Sequence, residues 1–407
     1  MALSRRDFLA SLGGLTALTA STSARAEPPR PKGTYAIVGR VLDENGTMLP
    51  HHAVLVDKGY IRDIVPASMA KNFEVFDVSP HFPNATIVPG IINCHVHRVH
   101  RSPDRRNRYL YHGVTSIGDA ASPLAALPDL LHSPHGQTAS AACAGPMLCP
   151  PGGYPLPVHS ADHALIVSSP QQGRQRVRTL ADCGATMVKF AFEPGPYPKP
   201  WPMFDPRTAH AICDEARRLG LIIRCHVEDF GGLEPALDAG VHTIEHVPHR
   251  WLTGGKIRDV VRQGEPIPCY QRLLTRMVRD DVILTPTLDV LTRSIWNGPE
   301  LREPVRFFAE SGGRIALGND HPYRRTDAGM PMQEMNLLTQ AGLENGAILH
   351  AATHTSAMAC GMGDRGRIAP GTRADMLILR SDPQADLSCL TTPLQIIKDG
   401  VFVGEKG

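Results

Sequence analysis

Aromatic side chains are scarce: 3 Trp, 8 Tyr and 11 Phe in 407 residues. That argues against a stacking platform for single-stranded nucleic acid. No Cys-x-x-Cys pair occurs among the nine cysteines, so neither a zinc ribbon nor a dithiol redox motif is signalled. The odd count leaves at least one thiol unpaired. Neither sign of charge is in excess. The formal net charge is +2, and Arg5, Arg6 and Arg25 against Asp7 account for it before residue 27. A formally neutral body lacks the electrostatic footprint that polyanions or anionic lipid would require. The uncharged stretch 8–24 is too short and too polar for a comfortable membrane span. Internal repeats and charge blocks are missing too. What the chain does have is 37 Gly and 36 Pro within a composition 42% hydrophobic and 20% charged. This is the texture of a folded scaffold carrying many loops.

The first residues read as an address. Ser4-Arg5-Arg6-Asp7-Phe8-Leu9-Ala10 precedes the uncharged stretch, and Ala24-Arg25-Ala26 offers small residues to a signal peptidase. The Arg pair followed by Phe-Leu resembles a bacterial twin-arginine signal. The expectation is a signal over residues 1–26, export by the twin-arginine machinery to the periplasm, and no membrane anchor after processing. Because that route moves folded proteins, a metal or cofactor can be loaded in the cytoplasm.

Beyond a Pro-rich linker at 27–32, the texture is β-like, with short apolar runs at 35–41 and 53–56 and a turn at Glu44-Asn45-Gly46. From residue 87 it changes. Strand-like runs at 87–97, 113–117, 185–190, 221–227, 243–247, 283–287 and 314–317 alternate with helical stretches. The helical candidates are 206–219, 233–239, 270–279 and 331–341. Such alternation signals parallel βαβ units. From 366 the β texture returns, at 374–379, 395–398 and 401–403. The expected architecture is α/β: a (β/α)8 TIM barrel over 87–365, with a small composite β-sandwich from 33–86 and 366–407.

The strongest chemical signal is His95-Val96-His97, closing the first run of the barrel. Residues two apart on a strand face one side, so the two imidazoles form half of a metal site. More ligand candidates stand at later strand ends: Lys189, His226, His246 and Asp320. The intervals between them correspond to three, one, one and two βα units. That hangs the set from strands 1, 4, 5, 6 and 8, at the barrel face where active sites sit. Each position also has a plain structural reading: an ion-paired barrel lysine, core histidines, a turn aspartate. Cys94 and Cys225, each beside a histidine, should point the opposite way, toward surrounding helices.

The order His-x-His, Lys, His, His, Asp resembles the amidohydrolase superfamily, binuclear subtype, over nearly all the chain after the signal. Pro89-Gly90-Ile91-Ile92-Asn93-Cys94-His95-Val96-His97 is similar to its first barrel strand, and Gly113-Val114-Thr115-Ser116 to its second. The run 366–400 is similar to its closing sandwich. Thr285-Pro286-Thr287 and the stretch 239–246 resemble the imidazolonepropionase-like and Xaa-Pro dipeptidase-like branch. The resemblance implies two divalent ions, zinc in most members. His95, His97 and Asp320 would hold one, and His226 and His246 the other. A CO2-derived carbamate on Lys189 would bridge them. It further implies attack on an amide or peptide carbonyl by a metal-bridging hydroxide, with Asp320 as general base and acid.

Three positions depart from the family pattern. Asn93 stands where an Asp usually precedes the paired histidines. Tyr154 follows Gly152-Gly153 where the branch often has His, and Glu228 stands two residues beyond His226 where the branch often has another His. Tyr154, His159, Glu228 and His321 are the expected substrate-binding residues. Glu228 would favour a free amine unless a neighbour such as Arg224 neutralises it; the alternative is that it only orients a metal-bound histidine or water. The expected substrate is a small amide, a dipeptide or an N-acyl amino acid, and homo-oligomerisation is left open. A lactonase or esterase on the same scaffold, a mononuclear cyclic-amide hydrolase and a metal-free binding protein are the alternatives.

Overall fold

The computed structural model describes residues 33–133, 136–294 and 298–404; the signal expected at 1–26 lies outside them. Two β systems organise the chain. In the first, the strands Tyr35–Leu42, Met48–Asp57, Tyr60–Pro66, Glu74–Asp77 and Thr86–Pro89 join Met376–Leu379, Gln395–Lys398 and Val401–Phe402. They form one sheet of eight strands. The seam between the two ends of the chain is the antiparallel pairing of Thr86–Pro89 with Met376–Leu379. Alternation sends Tyr35, Ile37 and Val41 to one side with Val54, Ile87 and Ile378, and Ala36 and Val38 to the other with Ala53 and Leu55.

The second system is parallel and barrel-like. Ile91–Val96, Val114–Asp119 and Ser140–Cys143 form one three-stranded arc. Met187–Ala191, Ile222–His226, Thr243–Glu245 and Ile283–Thr285 form a second arc of four. A hydrogen bond ties the arcs directly at one seam, and at the other the segment 314–317 stands between them. Thr186 N–H donates to Cys143 O at 3.0 Å, and Cys94 N–H donates to Leu317 O at 2.8 Å. Residues 314–317, expected as a strand, make only an isolated parallel bridge at Ile315 to Leu284.

The run 87–97, expected as a single strand, is two. Gly90 is the joint: its N–H donates to Asp375 O at 2.8 Å, and the chain passes there from the terminal sheet into the barrel-like one. A Cβ at residue 90 would stand 2.3 Å from Thr115 Oγ1, so only glycine fits.

Helices cover the parallel arcs. In Pro206–Arg218 the Asp205 carboxylate accepts from Thr208 N–H at 3.1 Å, and Arg217 and Arg218 face the negative end of the helix dipole. Glu334, buried on Met332–Gln340, accepts the N–H groups of Leu288 and Asp289 at the start of Leu288–Thr292. Burial pushes its carboxyl up to about 8, against the pull of those N–H groups. A raised acid is best tolerated protonated. Its contribution to stability is complete below the ordinary carboxylate range and is lost as pH rises through about 8. The expected result is a urea midpoint that falls between pH 5 and 8, with Glu334→Gln flattening that slope.

Candidate metal centre

The six expected ligands converge at the C-terminal ends of the parallel strands. His95 and His97 come from the strand Ile91–Val96 and the residue after it. Lys189 lies in Met187–Ala191, His226 ends Ile222–His226, and His246 follows Thr243–Glu245. Asp320 lies in the irregular segment beside the first strand, its N–H donating to His95 O at 2.9 Å. That approach requires Gly318, where a Cβ would meet His95 Cβ at 2.5 Å. Asp320, His246 and Thr287 all have left-handed backbones, with φ of 56°, 69° and 51°. Such conformations cost non-glycine residues energy and persist where the surroundings impose them.

His97 Nε2 lies 3.1 Å from Asp320 Oδ1, and His95 Nε2 lies 3.4 Å from the same oxygen. The two Nε2 atoms are 3.3 Å apart, and Lys189 Nζ is 3.1 Å from His95 Nε2. The His246 ring centroid is 5.0 Å from that of His95 and 4.5 Å from that of His226. All six side chains are buried, His95 wholly and Lys189 at 1% exposure.

Burial holds all four histidines below their ordinary range, His95 at about 4. For His95, His97 and His226 the neighbouring Lys189 adds to this; for His246 the next cause is His226. They are therefore neutral imidazoles with lone pairs to offer. Burial also lowers Lys189 to about 8 and raises Asp320. Asp320 Oδ1 is buried without a hydrogen-bond partner. Neutral nitrogens facing a buried, unpartnered carboxylate oxygen make a donor set that fits a divalent cation. The atoms of His95, His246 and Asp320 lie within 4.8 Å of one another.

Behind the ligands stands a buried ion pair for which the sequence reading assigned no role. Glu245 Oε2 is 2.5 Å from His95 Nδ1 and 2.6 Å from Arg224, and its Oε1 takes the Arg224 Nε–H at 2.8 Å and the Thr243 hydroxyl at 2.5 Å. The carboxylate accepts the His95 Nδ1–H, which leaves Nε2 bare toward the cluster. Thr287 Oγ1 fixes His246 Nδ1 in the same way at 2.7 Å.

A family described as "Amidohydrolase family" matches residues 152–401. The chain belongs to it. The chain is also 26% identical to the imidazolonepropionase of Streptomyces griseus over 189 residues, 46% of this chain and 43% of that protein. With the imidazolonepropionase of Chloroflexus aggregans it shares 26% over 184 residues, 44% of this chain and 38% of the other. The matched region thus spans less than half the length of these curated relatives. Among solved structures, a Xaa-Pro dipeptidase with bound methionine superposes with a TM-score of 0.72 at 18% identity, covering 91% of this chain and 99% of that one. The A. niger ochratoxinase does so with 0.74 at 16%, covering 92% and 97%. At such identities the likeness is one of fold: a TIM-barrel-like α/β body with a separate β-rich part.

Around the centre of this amidohydrolase, Tyr154 stacks on His226 with ring centroids 4.4 Å apart and planes at 15°. The Tyr154 hydroxyl is 3.4 Å from His159 Nε2, and His159 Nδ1 is 3.4 Å from the Tyr323 hydroxyl. Tyr154 and His159 therefore stand beside the cluster. Tyr323, which no motif singled out, closes the same wall 5.1 Å from the His97 ring. Asn93 bridges to Asn319 at 2.8 Å, tying the first strand to the segment that carries Asp320.

One condition is decided and two expectations need correction. Arg224 does not neutralise Glu228: it is consumed by Glu245, and the partner of Glu228 is Arg250, 3.3 Å from Oε2. Arg250 also holds Glu193 Oε1 at 2.8 Å. His321 faces away from the cluster. Its Nδ1 donates to Thr326 O at 2.7 Å and its ring meets Tyr109 edge-on, on the side of helix Pro103–Tyr111. Cys94 packs inward with Met187, Ile283 and Ala316, its Sγ 3.8 Å from Thr285 Oγ1. Register shifts on both sides of this residue break the alternation from which an outward direction was read. Cys225 does pack toward the helix side, with Ile212 and Cys213, and all nine cysteines are free thiols.

Proposed function

We propose that this amidohydrolase is a metal-dependent enzyme that hydrolyses the C–N bond of a small amide, such as a dipeptide or an N-acyl amino acid. The observation that carries the reading is the buried cluster of four neutral imidazoles and Lys189, in which the unpartnered Oδ1 of Asp320 faces His95 and His97. In this reading the two parallel arcs are parts of one complete (β/α)8 barrel. His95, His97 and Asp320 would hold one divalent ion and His226 and His246 another, zinc in each case. Lys189, converted by CO2 to a carbamate, would add anionic oxygen ligands to the centre.

Bound divalent ions supply a water that ionises near neutral pH and an electrophile for the scissile carbonyl. The chain's own groups do the rest. Asp320 Oδ1 takes the proton of the attacking water and passes it to the leaving nitrogen. Glu245 and Thr287 hold His95 and His246 in the tautomers that present Nε2. Tyr154, His159 and Tyr323 wall the reacting centre and limit access of bulk water. Among the described residues no helix is long and apolar enough to cross a membrane. In this reading residues 1–26 are a twin-arginine signal that directs the enzyme to the periplasm, and conversion of Arg5 and Arg6 to Lys should retain the precursor in the cytoplasm.

Elemental analysis of purified enzyme is expected to find two divalent ions per chain; one ion or none in an active preparation would sink this reading. Lys189→Ala should lose most turnover and recover part of it with added short carboxylic acids, which replace the carbamate oxygens. Matched amide and ester analogues test the bond class: the amide should show the higher kcat/KM, and a reversed order would make the enzyme an esterase or lactonase.

A further inference from the structure

Glu228 is one of this chain's departures from its family, and its surroundings give it a task. It lies two residues beyond His226, half-buried, with a carboxylate oxygen within 4.8 Å of ring nitrogens of both His226 and His246. Two ligands on opposite sides of a zinc-like ion stand about 4 Å apart, so modest side-chain adjustment brings this trio onto one cation. Its backbone is pinned there, since Glu228 N–H donates to Glu193 Oε2 at 3.3 Å. Its Oε2 contacts Arg250, but a carboxylate offers about four lone-pair sites, and capacity remains.

Local charge points the same way. Two carboxylates, Glu193 and Glu228, share a single guanidinium in contact, that of Arg250. Glu193 is 2% exposed and its Oε2 also lies 3.8 Å from His226 Nε2. Asp229 brings no cation, because its oxygens are taken by the N–H groups of Gly231 and Leu252. With both carboxylates ionised, the one guanidinium in contact leaves a negative charge beside two imidazoles, which a bound metal ion would balance.

We infer that Glu228 is a metal ligand, so that the His226 half of the centre is a two-histidine, one-carboxylate set. This deepens the two-ion reading above and rests on it. A carboxylate added to two imidazoles makes that half richer in oxygen. It should accept manganese or cobalt more readily than the half built on His95 and His97 does. Arg250 then acts as a positioning residue that orients the Glu228 carboxylate and offsets its charge.

The test is metal titration of stripped enzyme by calorimetry, with the visible spectrum of the cobalt form as a second readout, for wild type, Glu228→Gln and Glu228→Ala. The wild type should bind two ions. Both variants should bind one ion as before and the other at least about 10-fold more weakly, with a changed cobalt spectrum. The isosteric Gln should leave the thermal unfolding of the stripped protein unchanged, which separates ligand loss from misfolding. Two ions at unchanged affinity in both variants, with an unchanged cobalt spectrum, would overturn this inference alone. In that case a rise in KM confined to free-amine substrates would return Glu228 to substrate recognition. A wild type that binds fewer than two ions would overturn the two-ion reading and this inference with it.

Discussion

Asp320→Asn is expected to lower kcat by about 10²–10⁴-fold, the usual size of a lost general acid–base group. To the fold the substitution is mild, although it also weakens one metal ligand, so metal content is checked alongside. Asn is among the few residues that tolerate the left-handed backbone, and residue 320 has a φ of 56°. Its volume is that of Asp, and its backbone remains held by the bond from 320 N–H to His95 O. The unfolding midpoint should therefore correspond to a change within about 1 kcal/mol, and the loss should fall on kcat rather than KM. A variant that keeps wild-type turnover would remove Asp320 from the proton path.

Glu245→Gln should produce the largest loss of stability. Arg224 is wholly buried, and the Glu245 carboxylate meets two of its nitrogens. Removing one charge of a buried pair leaves the other uncompensated, at a cost of about 3–5 kcal/mol. Urea unfolding measures this. The same change takes the acceptor from His95 Nδ1, so metal affinity should fall about 10–100-fold as well. The double variant Arg224→Met with Glu245→Leu separates the two effects. Replacing a buried pair by apolar residues of similar size is often neutral, so most stability should return. Metal affinity should not, because His95 still lacks its carboxylate. Parallel recovery of both would mean that Glu245 serves the fold alone.

The positions of the six candidate ligands were legible in the sequence because each stands at or just beyond a strand end, where period-two alternation and βα spacing suffice. Legibility stops where the backbone leaves the regular strand. Glu245 and His246 are neighbours, which alternation would place on opposite faces, yet both reach the cluster because His246 is left-handed. Thr287 stood in a motif, but its contact with His246 was hidden for the same reason, and Tyr323 lies in an irregular turn beyond Asp320. One signal for the ion pair was present: Arg224 and Glu245 are charged residues inside apolar runs, and buried charges require partners. Arg250 was hidden differently. It precedes the short hairpin of Trp251–Thr253 and Lys256–Arg258, a local insertion that no helix or strand period announces. At Gly90 one apolar run serves two sheets, and hydrophobicity alone carries no mark of where the first ends.

The pairing of Thr86–Pro89 with Met376–Leu379 sets a timetable for synthesis. Ribosomes add about 5–20 residues per second, so the earlier strand waits about 15–60 seconds for its partner to be made. Throughout that wait the nascent sheet shows an open edge, of the kind that recruits strands from other chains. The barrel-like arcs lie almost wholly between the two halves of the seam, so they can assemble first and bring the late strand to its place. Completion of that sheet then follows synthesis of the whole barrel-like part, and it reports that the strands between the two halves of the seam have been made.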